Sequence, residues 1–360
     1  MGYKIPFHRP GWAYEITEKR LANRKIGELT HGYWWVELGG DHRSTITEAE
    51  EIQTELMKYV YGVFDYIKNS GKFDADNLAI DWIASIPGKR ESRRVYGDYV
   101  LTQNDIDRAC RFEDAIAYGG WPMDAHTIGG IEAKQKEKEE GTIWNVVEDV
   151  YTIPYRCIYS RNVDNLYIGG RAISASHMAM TSSRVIATCA VVGQAIGTAA
   201  SIANEQHLTP REVGKYIVRL QQMLIADDCY IPGIPSKDER NLLNKNVCVI
   251  TASSHVEGGE PENINGDYAR RIDEIEYAWI SEAFGGKPEW IRIQLEQAVN
   301  MSQIYLSFDP DFSKPMFITP SLKIRKKRTT EMPEMLVRSY KLILKKNGQV
   351  LKEISVEDNY

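Results

Sequence analysis

The sequence predicts a mixed α/β (α+β) fold followed by an all-β sandwich, and three patterns support this prediction. Residues 166–202 have the pattern of a short buried strand, a glycine turn and a long helix of small apolar residues. Residues 48–69 and 210–226 repeat apolar side chains at the spacing of amphipathic helices. From about residue 243 onward, apolar side chains alternate with period two, which is typical of strands.

The length and composition of the chain allow a large folded core. It has 360 residues, of which 43% are hydrophobic, and this size favours two or more domains. The formal net charge of -6 gives no broad basic field, so nucleic acid is not an expected partner. The basic run at residues 323–328 is more typical of a solvated surface than of a nucleic-acid or lipid patch.

The cysteines and apolar segments point away from several classes of protein. Five scattered cysteines include no CxxC pair, so the sequence predicts neither a disulfide framework nor a metal site. Polar residues interrupt every long apolar run, and the N-terminus lacks the pattern of a signal peptide. We therefore expect no membrane partner, and a cytoplasmic location is the default expectation.

The first predicted helix follows a start that is rich in glycine and aromatic residues. Trp34 and Trp35 are adjacent on a predicted strand, so one ring can meet a ligand while the other packs, although both can also be core. Thr47 and Glu50 have the spacing of a capping box, and the apolar stripe of residues 48–69 follows.

A cluster of basic residues follows an ambiguous segment at residues 78–86, which can be a strand or a helix. The cluster includes Arg90 and Arg94, directly after a Pro-Gly turn. Guanidinium groups at fixed spacing can bind a carboxylate or stabilise negative charge on a reduced cofactor. Pairing with nearby acidic residues at the surface is the alternative.

A candidate acid–base group follows a helix predicted over residues 103–118. A Gly-Gly-Trp-Pro turn leads to Asp124 and His126, which lie on the same side of an extended segment because they are two residues apart. A carboxylate beside an imidazole raises its basicity, so His126 is a candidate catalytic or substrate-binding residue. A purely structural histidine is the alternative.

The stretch at residues 166–202 organises the rest of the chain. The Gly169-Gly170 turn lets backbone approach a ligand closely, and the amides that begin the following helix suit a negative group. Ser174 and His177 stand at the entrance of this helix. Residues 180–202 carry almost no charge, so we expect the helix to be enclosed by other elements. A plain turn that only allows close helix packing is the alternative.

Several blocks of the sequence resemble the FAD-dependent oxidoreductases of the glutathione-reductase-like superfamily. The resemblance covers residues 153–200, which read IPYRCIYSRNVDNLYIGGRAISASHMAMTSSRVIATCAVVGQAIGTAA, and it extends to residues 88–106 and 117–126. Residues 31–40 and 227–234 also fit. Within the superfamily, the chain is similar to a branch of bacterial proteins of which some carry a xanthan-lyase label.

This resemblance implies a flavoprotein fold, FAD as the cofactor and a set of site residues. Residues 1–152 would form the substrate (cap) domain, and residues 153–240 would form the C-terminal part of the FAD-binding domain. The turn would lie against the ribityl and phosphate side of the flavin, and the helix amides would face its N1 and C2 carbonyl edge. The implied cofactor-binding residues are Gly169, Gly170, Arg171, Ile173, Ser174, Gly193 and Gln194. The candidate catalytic residues are His126, His177, Arg90 and Arg94.

The chain departs from the family at one important point. The family opens with a strand, a GxGxxG turn and a helix that bind the dinucleotide pyrophosphate, and the 360 residues contain no such pattern after a strand. We therefore expect the chain to be a fragment of a longer protein that lacks the dinucleotide-binding half. Its capacity to hold FAD alone is then an open question.

The last part of the chain, residues 241–360, resembles a discoidin-like or galactose-binding jelly roll. Its most specific fragments are Trp279-Ile280 and the run at 290–293, and Asn347-Gly348 is a strong hairpin signal. The final strands of such a sandwich are missing from the pattern, so we expect an incomplete domain. Sugar binding is implied by this resemblance alone.

The sequence thus predicts hydride transfer between a flavin and a small organic substrate, for which a carbohydrate-derived alcohol is one candidate. The alternative is a non-enzymatic carbohydrate-binding or scaffold protein with a vestigial flavoprotein half. A polysaccharide lyase is a third hypothesis that follows the xanthan-lyase label. The sequence does not identify the substrate or the electron acceptor.

Overall fold

The computed structural model describes residues 3–21, 24, 26, 27, 29, 36–134, 141–238, 241–245, 248–310, 333 and 335–359. It divides into two compact units, Met1–Gly233 and Ile234–Tyr360. The boundary predicted after residue 152 lies inside the first unit and stays a prediction. The predicted strand around Trp34 and Trp35 and the basic run at residues 323–328 lie outside the described residues.

Along the first unit, three described helices are followed by four strands and then by four more helices. The α-helices are α1 Glu18–Leu21, α2 Ala49–Asn69, α3 Gln103–Asp107, α4 His177–Ser183, α5 Ile186–Gln206, α6 Pro210–Val213 and α7 Ile217–Ala226. The strands are β1 Ala115–Gly119, β2 Met123–His126, β3 Thr142–Asn145 and β4 Tyr151–Pro154. Both sheets are antiparallel pairs, β1 with β4 and β2 with β3.

The core of the first unit forms around β1 and β4. Ile116, Ala117 and Ile153 are fully buried, and α5 and α7 pack on β1. Gln221 of α7 is a buried polar residue, and its amide is satisfied because it donates to the carbonyl oxygens of Glu113 and Ala115, at 2.7 and 3.0 Å. This hydrogen bonding fixes α7 to the end of the sheet.

The helix predicted over residues 103–118 is only partly correct. Helix α3 ends at Asp107, and Ala109 adopts a positive φ of 47°. Residues 115–119 instead form β1, because pairing with β4 buries their side chains in the core. The apolar pattern of residues 146–153 also predicts a strand, and the observed strand, β4, begins only at Tyr151.

Helix α2 confirms the amphipathic pattern of residues 48–69, although its predicted cap is absent. Tyr59 and Val63 pack with Ile16 and Leu21 in a second core cluster. The N-cap residue is Glu48, which makes no side-chain capping bond at the helix start. Its carboxylate accepts a hydrogen bond from the Ser44 amide at 2.6 Å instead. The spacing of Thr209 and Glu212, with Pro210 between them, predicts a capping box, and this box is present. The chain then passes through a short 3₁₀ turn between α6 and α7.

The single long helix predicted over the central stretch is wrong, because it is broken into α4 and α5. The break falls at Val185, whose ψ of 149° is extended. The preceding residue, Arg184, hydrogen bonds to the carbonyl oxygens of Arg90 and Asp124, at 3.4 and 3.0 Å. These side-chain bonds hold Arg184 at the end of α4, where its backbone amide still donates to the Met180 carbonyl oxygen at 3.1 Å. Before the turn, the predicted strand is reduced to a bridge between Tyr159 and Tyr167.

Helix α5 is less enclosed than the sequence predicts. Its buried side includes Val192, Ala195 and Ala199, whereas Ile186 is 88% exposed. As far as Ser201, the exposed residues of α5 are small or apolar apart from Gln194, and they are Ile186, Ala187, Ala190, Gly193, Gly197 and Ser201; its last turn exposes the polar residues Asn204, Glu205 and Gln206. By length and composition alone, α5 could also cross a membrane, a property that core helices share.

The second unit contains a short helix and two described strand pairs. Helix α8 is Leu242–Lys245, and the strands are β5 Cys248–Ala252, β6 Ile291–Leu295, β7 Tyr340–Lys346 and β8 Gln349–Val356. Strands β5 and β6 pair antiparallel, as do β7 and β8. The hairpin turn has positive φ at Asn347 and Gly348, 49° and 79°, as the sequence predicts. These two pairs do not establish the predicted jelly roll, and residues 304–308 form no strand.

Candidate active site

The segment from Lys89 to Val95 runs beside the turn that the sequence assigns to the cofactor. The guanidinium of Arg171 donates to the carbonyl oxygen of Lys89, and the amide of Val95 donates to the carbonyl oxygen of Ala172 at 3.0 Å. The predicted catalytic arginines, Arg90 and Arg94, belong to this segment. The fold therefore brings the predicted cofactor turn and the predicted catalytic residues together.

Glu37 links two of the predicted catalytic residues. Its carboxylate lies 3.0 Å from His126 Nδ1 and accepts a hydrogen bond from Arg90 Nε, also at 3.0 Å. Burial alone would raise the pKa of Glu37, but the hydrogen bond and charge of His126 and the charge of Arg90 outweigh burial and lower it. Glu37 is therefore ionised at neutral pH, and it orients both partners.

Asp124 and His126 lie on the same side of β2, as their spacing predicts. Both are half-buried, and His126 Nε2 lies 3.6 Å from Asp124 Oδ2. Arg184 Nη2 lies 3.9 Å from the same oxygen, and it donates a hydrogen bond to the Asp124 carbonyl instead. Burial lowers the pKa of Arg184 although the charge of Asp124 acts in the opposite direction. The group forms a chain in which basic and acidic side chains alternate, from Arg184 through Asp124 and His126 to Glu37.

His177 occupies a different environment at the first residue of α4. Its Nδ1 lies within hydrogen-bond distance of Glu91, whose other oxygen pairs with Arg94. The contact with Glu91 favours the imidazolium, but burial and the positive charges of Arg94 and Arg184 lower the pKa of His177. A neutral His177 that donates from Nδ1 to Glu91 carries a lone pair on Nε2.

The Gly169 turn is open on one side. Gly170 has a φ of 62°, and a Cβ added there would meet no atom within 4 Å. On the other side, a Cβ on Gly169 would lie 3.1 Å from the Ile196 side chain, so the turn rests on α5. Within the described residues, the backbone amides of Gly169, Gly170 and Arg171 donate to no protein acceptor. The open side can therefore receive an electron-rich group.

Ile173 and Ser174 support the turn from beneath. Both side chains are 1% exposed, and the Ser174 backbone bonds to Cys157 and Leu101, with N–H···O distances of 2.9 and 3.0 Å. The buried Ser174 hydroxyl has no hydrogen-bond partner among the described residues. Neither side chain reaches the open face, so their predicted cofactor role stays untested. Gly193 and Gln194 do lie on the exposed side of α5.

Sequence reasoning missed Glu37 and the role of Glu91. Glu37 is 89 residues from His126, and Glu91 is 86 residues from His177. No local pattern marks either pair. Glu37 does stand in the block at residues 31–40 that resembles flavoproteins, and this was the only available signal.

Comparison with known proteins gives one match. A family model described as FAD dependent oxidoreductase matches residues 3–224, which is more than half of the chain. No curated protein and no solved structure matches the sequence. The matched range includes both histidines, the arginine segment and the Gly169 turn.

Proposed function

The chain belongs to the FAD-dependent oxidoreductase family, and we propose that it holds the flavin end of FAD at the Gly169 turn while a small organic alcohol is oxidised beside it. The observation that supports this proposal most is the open turn, whose amides donate to no acceptor in the part of the chain that the structure describes and which the segment at residues 89–95 connects to two histidines. Such amides stabilise negative charge near a flavin edge.

The residues present at the turn fit a flavin. Because Gly170 has no side chain, the space into which one would project is open, and Arg171 is exposed beside this space. Gly193 and Gln194 extend the same open side along α5. These residues would hold the cofactor through backbone amides and a guanidinium, whereas Ile173 and Ser174 would keep the turn in place. When bound, FAD supplies the acceptor for a hydride.

His177 is the proposed proton acceptor. Oxidation of an alcohol to a carbonyl breaks a C–H bond as hydride and releases the hydroxyl proton, so a neutral base is required. His177 meets this requirement because its pKa is lowered and because Glu91 holds its ring through Nδ1. His126, Arg90 and Arg94 orient the substrate in this proposal. The resemblance of the second part to sugar-binding sandwiches supports a carbohydrate-derived alcohol.

The exposed side of α5 supports a further part of the proposal. Small and apolar residues along one helix face normally pack against another element, and on α5 they are exposed. The 360 residues contain no GxGxxG turn. We infer that a dinucleotide-binding segment outside these residues covers this face and holds the pyrophosphate and adenine of FAD.

The test is anaerobic bleaching of the flavin absorbance of the FAD-loaded protein by a panel of primary and secondary alcohols. With the best alcohol, His177→Asn should slow bleaching by about 100-fold, the lower end of general-base effects. His255→Asn, in the second unit, is the matched control and should leave the rate unchanged. No bleaching by any alcohol, or an unchanged rate in His177→Asn, contradicts the proposal.

A further inference from the structure

We propose that Trp121 and Trp144 form a platform on which the hexopyranose ring of the substrate stacks. This inference rests on the proposed function, since it identifies the alcohol that would be oxidised. The first observation is the register of the β2–β3 ribbon, where Trp144 is directly opposite Asp124 and Thr142 is opposite His126. Directly paired residues of antiparallel strands project from the same face, so Trp144 lies beside the candidate site.

The two tryptophan rings contact each other and remain largely exposed. Their centroids are 5.6 Å apart at an interplanar angle of 75°. Trp121 is 46% exposed and Trp144 is 49% exposed. Two adjacent tryptophans with this much exposed apolar surface are unusual outside binding sites, because contact between an indole face and water is unfavourable. Because the two rings are nearly perpendicular, the face of one indole can stack on a ligand while the other indole borders that ligand.

The platform is fixed to the same helix that carries His177. The Ser182 hydroxyl donates to the Trp121 carbonyl oxygen, and it lies 2.7 Å from the hydroxyl of buried Tyr151. Ser182 follows His177 by five residues on α4, which is about 7.5 Å along the axis at 1.5 Å per residue. A hexopyranose ring has a comparable width. A sugar stacked at the platform can thus extend a hydroxyl toward the candidate base.

Asp124 supplies the polar side of this surface. Its carboxylate accepts no hydrogen bond from the described residues, since His126 Nε2 and Arg184 Nη2 lie 3.6 and 3.9 Å from Oδ2. An ionised carboxylate only accepts hydrogen bonds, so its complement is a ligand with O–H donors. A hexopyranose combines an apolar C–H face with hydroxyls at its edge. A planar aromatic ligand such as phenol has only one O–H donor, and a linear alcohol lacks the face.

The experiment uses the full chain without FAD and three probes, the methyl α-pyranosides of glucose, galactose and mannose. Saturation-transfer NMR should show that at least one probe binds saturably through its ring protons. Trp144→Ala should weaken this binding at least tenfold, whereas Trp144→Phe should weaken it less than about threefold, because base and sugar stacking tolerate any aromatic face. Trp82→Ala is the matched control, because Trp82 is 77% exposed elsewhere in the first unit.

Three results would overturn the platform. They are no binding of any probe, equal binding of cyclohexanol or phenol, and less than twofold loss in both Trp144→Ala and Trp121→Ala. If Trp144→Ala fails to fold by circular dichroism, Trp121→Ala decides in its place. Binding of a sugar together with no bleaching by any alcohol would contradict the proposed function and leave the platform intact. Bleaching by a simple alcohol without sugar binding would support the proposed function and overturn the platform.

Discussion

The two candidate histidines differ in the charges that surround them. His126 is oriented by Glu37, which is ionised and also bonds to Arg90. Among the described residues, the acidic neighbour of His177 is Glu91, and the pKa of His177 is lowered by partial burial and by the charges of Arg94 and Arg184. A proton acceptor must be neutral before the reaction, so the environment of His177 suits this role better.

Replacing Arg94 with Met should raise the pKa of His177. The guanidinium disfavours the imidazolium and also competes for Glu91, so its removal stabilises the protonated form twice. The shift can be followed by NMR titration of the His177 Cε1 proton. Arg211→Met is the control, because Arg211 pairs with Asp98 instead. An unchanged or lower pKa in Arg94→Met contradicts this account.

The same charges set the expected pH dependence of the reaction. Because the pKa of His177 lies below its ordinary value of 6.5, the base is neutral above that pH and becomes protonated as the pH falls. The rate of flavin bleaching should therefore fall on the acidic side of pH 6.5. In Arg94→Met, the acidic fall of the bleaching rate should move to higher pH. A pH profile identical to that of the unmodified protein would contradict this account.

At the scale of single residues, strand periodicity was enough to place Asp124 and His126 on one side. It could not supply Glu37, because the bond to His126 spans 89 residues and depends on the tertiary fold. The resemblance to flavoproteins identified Arg90 and Arg94 as candidate residues, but it did not identify the carboxylates that pair with them. Ion-pair partners are set by packing, which local sequence does not encode.

Among the structural elements, the Gly169 turn depends on the segment that precedes α3. Leu101 forms a parallel bridge with Ala175, and its amide donates to Ser174. Gly97 allows this segment to lie against the chain at residues 156–159 and at Ser174. The close approach explains why a residue without Cβ stands there.

Substitution of Gly97 by Ala should destabilise the first unit by about 2–3 kcal/mol, the upper range for overpacking. The added Cβ would overlap the carbonyl oxygen of Arg156 and lie 3.1 Å from Ser174 Cβ. Urea unfolding measures the change in free energy. Gly88→Ala is the control, because a Cβ there meets no atom within 4 Å, and it should stay within about 0.5 kcal/mol. Equal effects of the two substitutions would contradict the packing described for Gly97.

Amphipathic periodicity predicted α2 well, because its buried stripe repeats over many turns. The same reasoning failed at residues 115–119, where pairing with β4 overrides local helical preference. It also failed at Val185, because the bonds of Arg184 that accompany the helix break come from distant carbonyl groups. Elements held by tertiary contacts are therefore the ones that the sequence misassigned.

The whole molecule consists of two compact units, and its family match ends inside the first. Period-two patterns predicted the strands of the second unit, but two described pairs do not establish the sandwich that resemblance implied. The sequence did not predict the exposed side of α5. An apolar helix has the same sequence pattern whether or not the element that packs against it belongs to this chain.

The two units should unfold in separate transitions, each sensitive to its own packing. In the second unit, a Cβ on Gly259 would lie 2.6 Å from Ile280 Cβ. Gly259→Ala should therefore lower only the transition of the second unit in differential scanning calorimetry, whereas Gly97→Ala should lower only that of the first. One shared transition that shifts in both variants would show that the units are coupled.

The central claim is that the Gly169 turn holds the flavin ring, and flavin titration followed by quenching of flavin fluorescence tests it most directly. FAD and FMN should bind this chain with affinities within about threefold of each other, because the proposed site contacts only the flavin end of FAD. Gly170→Glu, which puts a side chain and a negative charge on the open side, should weaken the binding of both flavins at least tenfold. Gly88→Glu is the control and should leave the binding of both flavins unchanged. Absence of flavin binding, or binding that Gly170→Glu leaves unchanged, would contradict the account.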